Sequence, residues 1–392
     1  MINNTSPRID VADVLRGFAV FGIVLLHSIE HFNFYSYPEV TSQWLKFTDT
    51  IIWDSLFFTF GGKAYAIFAL LFGFSFFIQD DNQLQRGYDF RLRFVWRLFL
   101  LFIWGNINAM FFTGEILVLY SIVGLVLVLT ARLSTKTSLI IAIILLLQPM
   151  EWAKIIYALL NPDYEMGQSM ALYYFMQAMP VQTNGNFIEM VKVNLWEGQL
   201  ASLTWAWENA RFFQAPALFL LGMLIGKTGL FLNSEKNIKF WSRALIISIV
   251  CFFPLNGLKD IASDFITNDA VLVPLVLIIK SFANFAFMTF LISLIIIMFY
   301  KTKLRSKLMM IVPYGRMSLT MYISQSAIGA FVFYNWGLGM YSTLGITYSL
   351  LVGIGIFVIQ YIFSYWWLKS HKQGPLEYIW KKATWIGAKR GK

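Results

Sequence analysis

Apolar residues in this chain gather into long unbroken runs, without the alternation of a half-buried strand or the narrow stripe of a surface helix. Runs of spanning length read at Val11 to Ser28, Gly61 to Gln79, Phe94 to Phe112, Ile116 to Thr130 and Leu139 to Leu160. Five more follow at Arg211 to Phe231, Phe240 to Leu258, Ala270 to Tyr300, Met309 to Trp336 and Ile346 to Leu368. A helix needs about 20 residues to cross the hydrocarbon core, so the pattern predicts an all-α polytopic membrane protein of about ten transmembrane helices. It predicts one integral membrane unit over 1–392, with N-terminal helices to residue 160, a long loop over 161–208 and C-terminal helices over 209–392. The polar stretch Met1 to Asp10 lacks the basic region and small-residue cleavage site of a removable signal, so the first run reads as a retained helix.

Composition agrees: 58% of the residues are hydrophobic and 13% charged, more apolar surface than a soluble domain can hide. The formal charge of +10 does not indicate a nucleic-acid binder, because the cations sit in short loops between apolar runs and do not line one polar face. Alternate loops collect them: Arg8; Arg86, Arg91, Arg93; Arg132, Lys136; Lys227, Lys236, Lys239, Arg243; Lys301, Lys303, Arg305, Lys307; and Lys369, Lys372, Lys381, Lys382, Lys389, Arg390, Lys392. The other loops hold only Lys46, Lys192 and Lys259. By the positive-inside rule both termini are cytoplasmic, as expected of a multi-pass protein of the bacterial inner (plasma) membrane. The bilayer is the expected partner, and a homodimer stays open. Cys251 is the lone cysteine, which excludes an intramolecular disulfide and a cysteine metal cage. The loop from Asn161 to Glu208 has room for one or two interfacial helices, as a lid or a simple wrap.

Ionisable side chains inside spans are costly and need a partner, a wet cavity or a function. Toward the cytoplasmic ends lie Asp13, Arg16, Arg97 and Arg316, and toward the outer ends lie His27, Lys63, Glu115, Glu208 and Arg211, with Lys280 between. Arg16 and His27 are eleven residues apart, close to three helical turns, so they share a face with about 16 Å between them along the axis. Three arginines at one level suit a phosphate-rich anion, since guanidinium binds phosphate bidentately and stays charged. The plainer alternative pairs Asp13 with Arg16, three apart, and lets the other arginines snorkel to headgroups. His27 has the chemistry of a general base at neutral pH, or of a histidine held by backbone or headgroup. His31 belongs to an aromatic loop expected at the interface, and His371 to the solvated tail. No Cys, His or carboxylate cluster has ligand spacing, so no metal site is expected. Pro216, Pro254, Pro274 and Pro313 are candidate helix breaks.

Ordered short motifs add a resemblance. Arg8-Ile-Asp-Val-Ala-Asp13-Val-Leu-Arg16-Gly17-Phe-Ala-Val-Phe-Gly22 resembles the opening of the YeiB-like family, whose C-terminal half is known as domain of unknown function 418. Gly62-Lys63 with Leu70-Leu71-Phe72-Gly73, Gly114-Glu115-Ile116-Leu117 with Tyr120, and Gly315-Arg316-Met317-Ser318 through Tyr322 with Gln325-Ser326 resemble that family's later motifs in the same order. The tail Gly374-Pro375-Leu376-Glu377-Tyr378-Ile379-Trp380-Lys381 looks like its closing signature. Three positions depart from the family pattern, with His27 where many YeiB-like chains carry Asn, Asn108 for a usual His and Glu115 for a usual Asp, and the loop after the first helix lacks the His-x-x-Trp-Asn-Gly stretch associated with the active site of the heparan-modifying enzymes. The family is grouped with wider transmembrane acyltransferases, including heparan-α-glucosaminide N-acetyltransferase and the acyltransferase-three O-acetylators; in the latter an Arg and a His at the Arg16 to His27 spacing are associated with acyl transfer. The resemblance therefore implies transfer of an acyl group, acetyl above all, from cytoplasmic acyl-CoA to an acceptor outside the membrane.

The leading expectation assigns the acyl-CoA diphosphate to Arg16 and Arg316, with Arg97, Glu208 and Lys280 also in the substrate-binding set. It assigns proton abstraction to His27, oxyanion stabilisation to Lys63 or Arg211, and orientation of His27 or substitution for it to Glu115. A transporter or flippase for an anionic metabolite or lipid, or a non-catalytic scaffold, are the alternatives. The topology is tested by reporter fusions: those after Lys307 and at the C-terminus should report cytoplasm, and one within 167–199 should report the outside. A cytoplasmic signal from the last would invert every depth assignment above.

Overall fold

The structure is a computed structural model, described over residues 9–387; Arg8, Lys389, Arg390 and Lys392 of the charge pattern lie outside the described residues. Nineteen α-helices and no strand occur among the described residues. The first eight are α1 Asp10–Ile29, α2 Gln43–Thr59, α3 Ala64–Leu84, α4 Arg91–Ala109, α5 Leu117–Val123, α6 Leu125–Thr130, α7 Thr135–Leu146 and α8 Pro149–Leu160. The long loop holds α9 Met170–Asn184, α10 Phe187–Val193, a π turn at Asn194–Gly198, and α11 Gln199–Glu208. Then come α12 Arg211–Thr228, α13 Glu235–Phe265, α14 Asp269–Lys301, α15 Arg305–Met309, α16 Val312–Arg316, α17 Ser318–Phe333, α18 Ile346–Ser370 and α19 Pro375–Thr384.

The helices follow the predicted apolar runs, but several are interrupted. Gly124 divides α5 from α6. Gln148, in the left-handed region at φ 56°, and Pro149 bend α7 against α8 by 41°. A break at Met317 separates α16 from α17. The prolines expected to break helices do not do so: Pro216, Pro254 and Pro274 sit inside continuous α12, α13 and α14, and Pro313 lies in the first turn of α16, where no amide hydrogen is needed. Five stretches are long and apolar enough to cross a membrane: Asp10–Ile29, Gln43–Leu84, Glu235–Phe265, Asp269–Lys301 and Ile346–Ser370. The bent pair α7 and α8 makes a sixth. The chain is thus all-helical over its described residues and membrane-protein-like. Helix α2 was not expected; none of its residues is buried, and Asp49 on it accepts the Thr347 amide at 2.7 Å, capping α18.

Helix α1 is the central post, with 15 of its 20 residues buried, and it packs on α3, α16, α17 and α18. Two close approaches fix its surroundings. A methyl group on Gly73 of α3 would lie 1.8 Å from the Phe219 carbonyl oxygen of α12, and one on Gly222 would lie 1.8 Å from that of Leu70. A methyl on Gly315 of α16 would lie 2.0 Å from the Asp13 carbonyl oxygen. Small residues that let backbones touch are the usual means of helix association in lipid, where apolar burial between helices gains little.

His31 departs from its expected interfacial setting. It is fully buried, its Nδ1 and Nε2 at 2.8 Å from Ser36 O and 2.7 Å from Ser349 Oγ, and it stacks on Phe333 at 4.5 Å. Gly222→Ala should lower the midpoint of thermal unfolding in detergent by roughly 5 °C or more. Gly355→Ala on α18, where a methyl meets nothing within 4 Å, should leave it unchanged; equal effects would show that the α3–α12 contact is not a tight one.

Candidate functional site

Charged side chains collect around two cavities stacked along α1. Asp13 and Arg16, in the first half of that helix, line a cavity of about 970 Å³, and His27 and Glu30, at its far end, line another of about 440 Å³. Helix α3 runs the opposite way, so Lys63 and Tyr65 near its start face the His27 cavity while Phe68 and Ser75 face the arginine cavity. Both volumes are in the range of small-molecule sites.

Arg16, Arg97 and Arg316 all line the larger cavity. Arg16 is paired with Asp13 at 2.5 Å and donates to Ser75 Oγ at 3.0 Å. Its local partner is therefore the one that the i, i+3 spacing offers. Arg97 lies 3.6 Å over the Trp380 ring of α19, and Arg316 donates to the Lys372 carbonyl oxygen at 2.7 Å. These contacts hold the guanidinium groups at the wall of the larger cavity.

The smaller cavity gathers His27, Lys63, Glu115, Arg211 and Lys280 from α1, the turn before α3, the turn before α5, α12 and α14. His27 makes no side-chain hydrogen bond among the described residues, and its Nδ1 is buried beside the Phe112 ring, 4.4 Å between centroids. Glu115, buried to 5% exposure, does not orient His27: it accepts from the Asn108 amide and from the Leu117 backbone N–H. Two of the positions that depart from the resembled motifs, 108 and 115, therefore touch each other. Arg211 lies 3.9 Å over the Tyr65 ring and donates at 2.6 Å to Gln214 Oε1, which also accepts the Tyr65 hydroxyl. Lys63 is buried, its Nζ 3.3 Å from the Phe57 carbonyl oxygen. Helix α11 of the long loop closes one side with Ser202 and Trp205. Glu208 lines neither cavity; its carboxylate accepts from Ser169 Oγ and the Met170 and Ala171 amides, and so caps α9.

One layer of rings divides the two cavities. Phe68 stacks between Tyr120 and Tyr322, each 6.4 Å away, and the Tyr120 hydroxyl donates to the Tyr65 carbonyl oxygen at 3.0 Å. Phe68 and Tyr120 face the arginine cavity, Tyr65 and Tyr322 the His27 cavity. His27 is 6.5 Å from Tyr322, ring to ring, and so two ring contacts from the arginine cavity.

Residues 225–387 match the family model described as "Protein of unknown function (DUF418)". The chain is 29% identical to the uncharacterized protein YxaH of Bacillus subtilis (strain 168), over 97% of this chain and 95% of that one. It is 27% identical to an uncharacterized 39.9 kDa protein in the amylase 3' region of Bacillus acidopullulyticus, over 96% and 94% of the two chains. A shorter stretch of 71 residues, 18% of each chain, is 37% identical to the uncharacterized protein YeiB of Escherichia coli (strain K12). The chain is thus similar to YeiB and YxaH, and the DUF418 match lies in its C-terminal part.

The DUF418 segment runs from the end of α12 through α19, so it supplies Lys280, Arg316, Tyr322 and Glu377. His27, Lys63, Glu115, Arg16 and Arg97 come from outside it, and neither cavity is complete without both parts. At the end of the DUF418 segment, Glu377 accepts from the Leu319 and Thr320 amides at 2.8 and 3.0 Å and from Thr320 Oγ1 at 2.6 Å. It thereby caps α17, which has no side-chain cap of its own. Burial raises the Glu377 carboxyl above its ordinary pKa, and the Thr320 hydrogen bonds oppose the rise. Beyond it α19 crosses the end of α4, with Trp96 Nε1 donating to the Ala383 carbonyl oxygen at 3.0 Å. Sequence reasoning missed Glu377, Gln214 and Tyr322 as site residues; Gly374 to Lys381 and Ser318 to Tyr322 stood out only as motifs, and nothing in them said that they meet. Removing hydrogen bonds to a buried charge costs about 1–3 kcal/mol, so Glu377→Ala should detach α19 and speed trypsin cleavage after Lys381 and Lys382 several-fold. An unchanged rate would show that α19 is held in place without this carboxylate.

Proposed function

We propose that this DUF418 protein is a transmembrane acyltransferase that moves an acyl group, acetyl above all, from acyl-CoA to a hydroxyl or amine on the far side of the bilayer. The observation that carries the reading is the alignment of the two cavities. A large one is lined by four guanidinium groups, those of Arg16, Arg86, Arg97 and Arg316, suited to a diphosphate, a smaller one by a histidine that makes no side-chain hydrogen bond among the described residues and sits among cations, and a single layer of aromatic rings separates them. On this reading the chain crosses a bacterial inner membrane about ten times. The crossings are α1, α3, α4, α5 with α6, α7 with α8, α12, α13, α14, α15 to α17, and α18, with both termini and the arginine cavity on the cytoplasmic side.

The chemistry follows from the residues. Arg16, Arg97 and Arg316 bind the donor, and the thioester reaches His27 by displacing the Phe68 ring. His27 takes the proton as the acceptor oxygen or nitrogen adds to the thioester carbonyl carbon. Lys63 or Arg211 stabilises the tetrahedral oxyanion, an effect of about 3–4 kcal/mol where such donors are preorganised. Collapse breaks the C–S bond, and the thiolate leaves and takes up a proton as CoA. An anion path through the same two cavities is the second reading, which the in-line aromatic layer also serves; it predicts tolerance of His27→Ala.

Calorimetry with acetyl-CoA on the detergent-purified protein tests the assignment. Binding in the micromolar range is expected, weakened at least about tenfold by Arg316→Ala. His27→Ala should bind within about twofold of the unaltered protein yet lose turnover of the thioester. Absence of binding by folded protein would remove the donor site and leave the transport reading.

A further inference from the structure

Three cations converge on the His27 cavity and outnumber its two carboxylates, Glu30 and Glu115. Lys63, Arg211 and Lys280 all line it. None of the three forms an ion pair among the described residues. The cavity does contain two carboxylates, but both are engaged elsewhere: Glu30 accepts from the Tyr35 hydroxyl at 2.9 Å, and Glu115 accepts from Asn108 and the Leu117 N–H. The Arg211 Nε is buried with no partner. Arg211 also occupies the first position of α12, whose preceding Ala210 provides no side-chain cap. A cation at the positive end of a helix dipole is unfavourable on its own. Gathering three of them around one cavity, with Lys63 buried, Arg211 half-buried and Lys280 exposed, is costlier still, unless an anion joins them.

We propose that the His27 cavity is a binding site for an anionic group, a phosphate or carboxylate, held by Lys63, Arg211 and Lys280 with Ser281 and Asn284 as neutral neighbours. Resting on the acyltransferase reading, this makes the acceptor an anionic molecule whose hydroxyl or amine sits beside its phosphate or carboxylate. The charged group docks on the lysines and Arg211 and delivers the nucleophile to His27. Because Arg211 is already fixed by Gln214 and Tyr65, the site is preorganised and the anion need not order it.

The test is thermal unfolding of the full chain in neutral detergent, titrated with inorganic phosphate and with glycerol 3-phosphate against sodium chloride and glycerol at matched ionic strength. A phosphate-dependent rise in the unfolding midpoint is expected for the unaltered protein. Its half-maximal concentration should increase at least about tenfold in Lys63→Gln and in Lys280→Gln, and stay within about twofold in Arg316→Gln. Lys280, open to the cavity, keeps the test valid if Lys63→Gln fails to fold. A rise produced only by phosphatidylglycerol in mixed micelles, with the same lysine dependence, would identify the anionic group as a lipid headgroup. A rise lost only in Arg316→Gln would place the anion in the arginine cavity and overturn the proposal. No rise from any of these anions, in protein that still binds acetyl-CoA, would overturn the anionic site and leave the acyltransferase reading intact. A lysine-dependent rise without acetyl-CoA binding would keep the site and discard the donor.

Discussion

Backbone contact between helices is what the rest of this structure depends on. At Gly73 and Gly222 the α3 and α12 backbones leave no room for a methyl group, and at Gly315 α16 presses on the Asp13 carbonyl oxygen in the same way. In lipid the gain from burying one apolar face against another is small, so dispersion contact and close approach hold the bundle. The consequence is positional. With α3 drawn onto α12 and α1 onto α16, Lys63 meets Arg211 around one cavity, and Arg16 meets Arg316 around the other.

The charges then sort by whether they find a local partner. Asp13 and Arg16 do, within one turn of helix. Glu208 does, as the cap of α9, and Glu377 does, as the cap of α17. Lys63, Arg211 and Lys280 form no ion pair among the described residues, Lys63 and Arg211 meeting only the Phe57 carbonyl oxygen and the Gln214 amide oxygen as hydrogen-bond acceptors, and they share a cavity with His27, which makes no side-chain hydrogen bond among those residues. Buried ionisable groups without partners concentrate where function is expected, because the cost of leaving them so is offset only by a ligand. The aromatic layer of Phe68, Tyr120 and Tyr322 gives this asymmetry its sense: one side faces Arg16 paired with Asp13, the other faces cations that have no ion pair among the described residues.

Much of this was legible along the chain. The apolar runs marked the helices, because lipid forces backbone hydrogen bonding within each segment and leaves composition as the signal. The spacing of Asp13, Arg16 and His27 determined which of them share a face of α1 and which can pair, since a helix carries its own register. The resemblance to YeiB-like proteins rested on short ordered motifs, and several of their glycines prove to be contact points between helices.

The tertiary structure alone decided what those residues meet. Helix α2 escaped notice because Lys46, Asp49 and Asp54 interrupt its apolar residues, although Ile52, Trp53, Leu56 and Phe57 pack against the core. The prolines misled because α12, α13 and α14 absorb them, while the real breaks fell at Gly124, Gln148 and Met317. His31 looked interfacial from its aromatic neighbours, yet Ser349, 318 positions away, turns it into a buried hydrogen-bonding hub. Convergence of Lys63, Arg211 and Lys280, and the reach of Glu377 back to α17, join segments 57 to 217 residues apart. Local periodicity sets the direction of a side chain on its own helix, but the crossing of helices sets its neighbours, and that depends on packing between segments that no single stretch of sequence encodes.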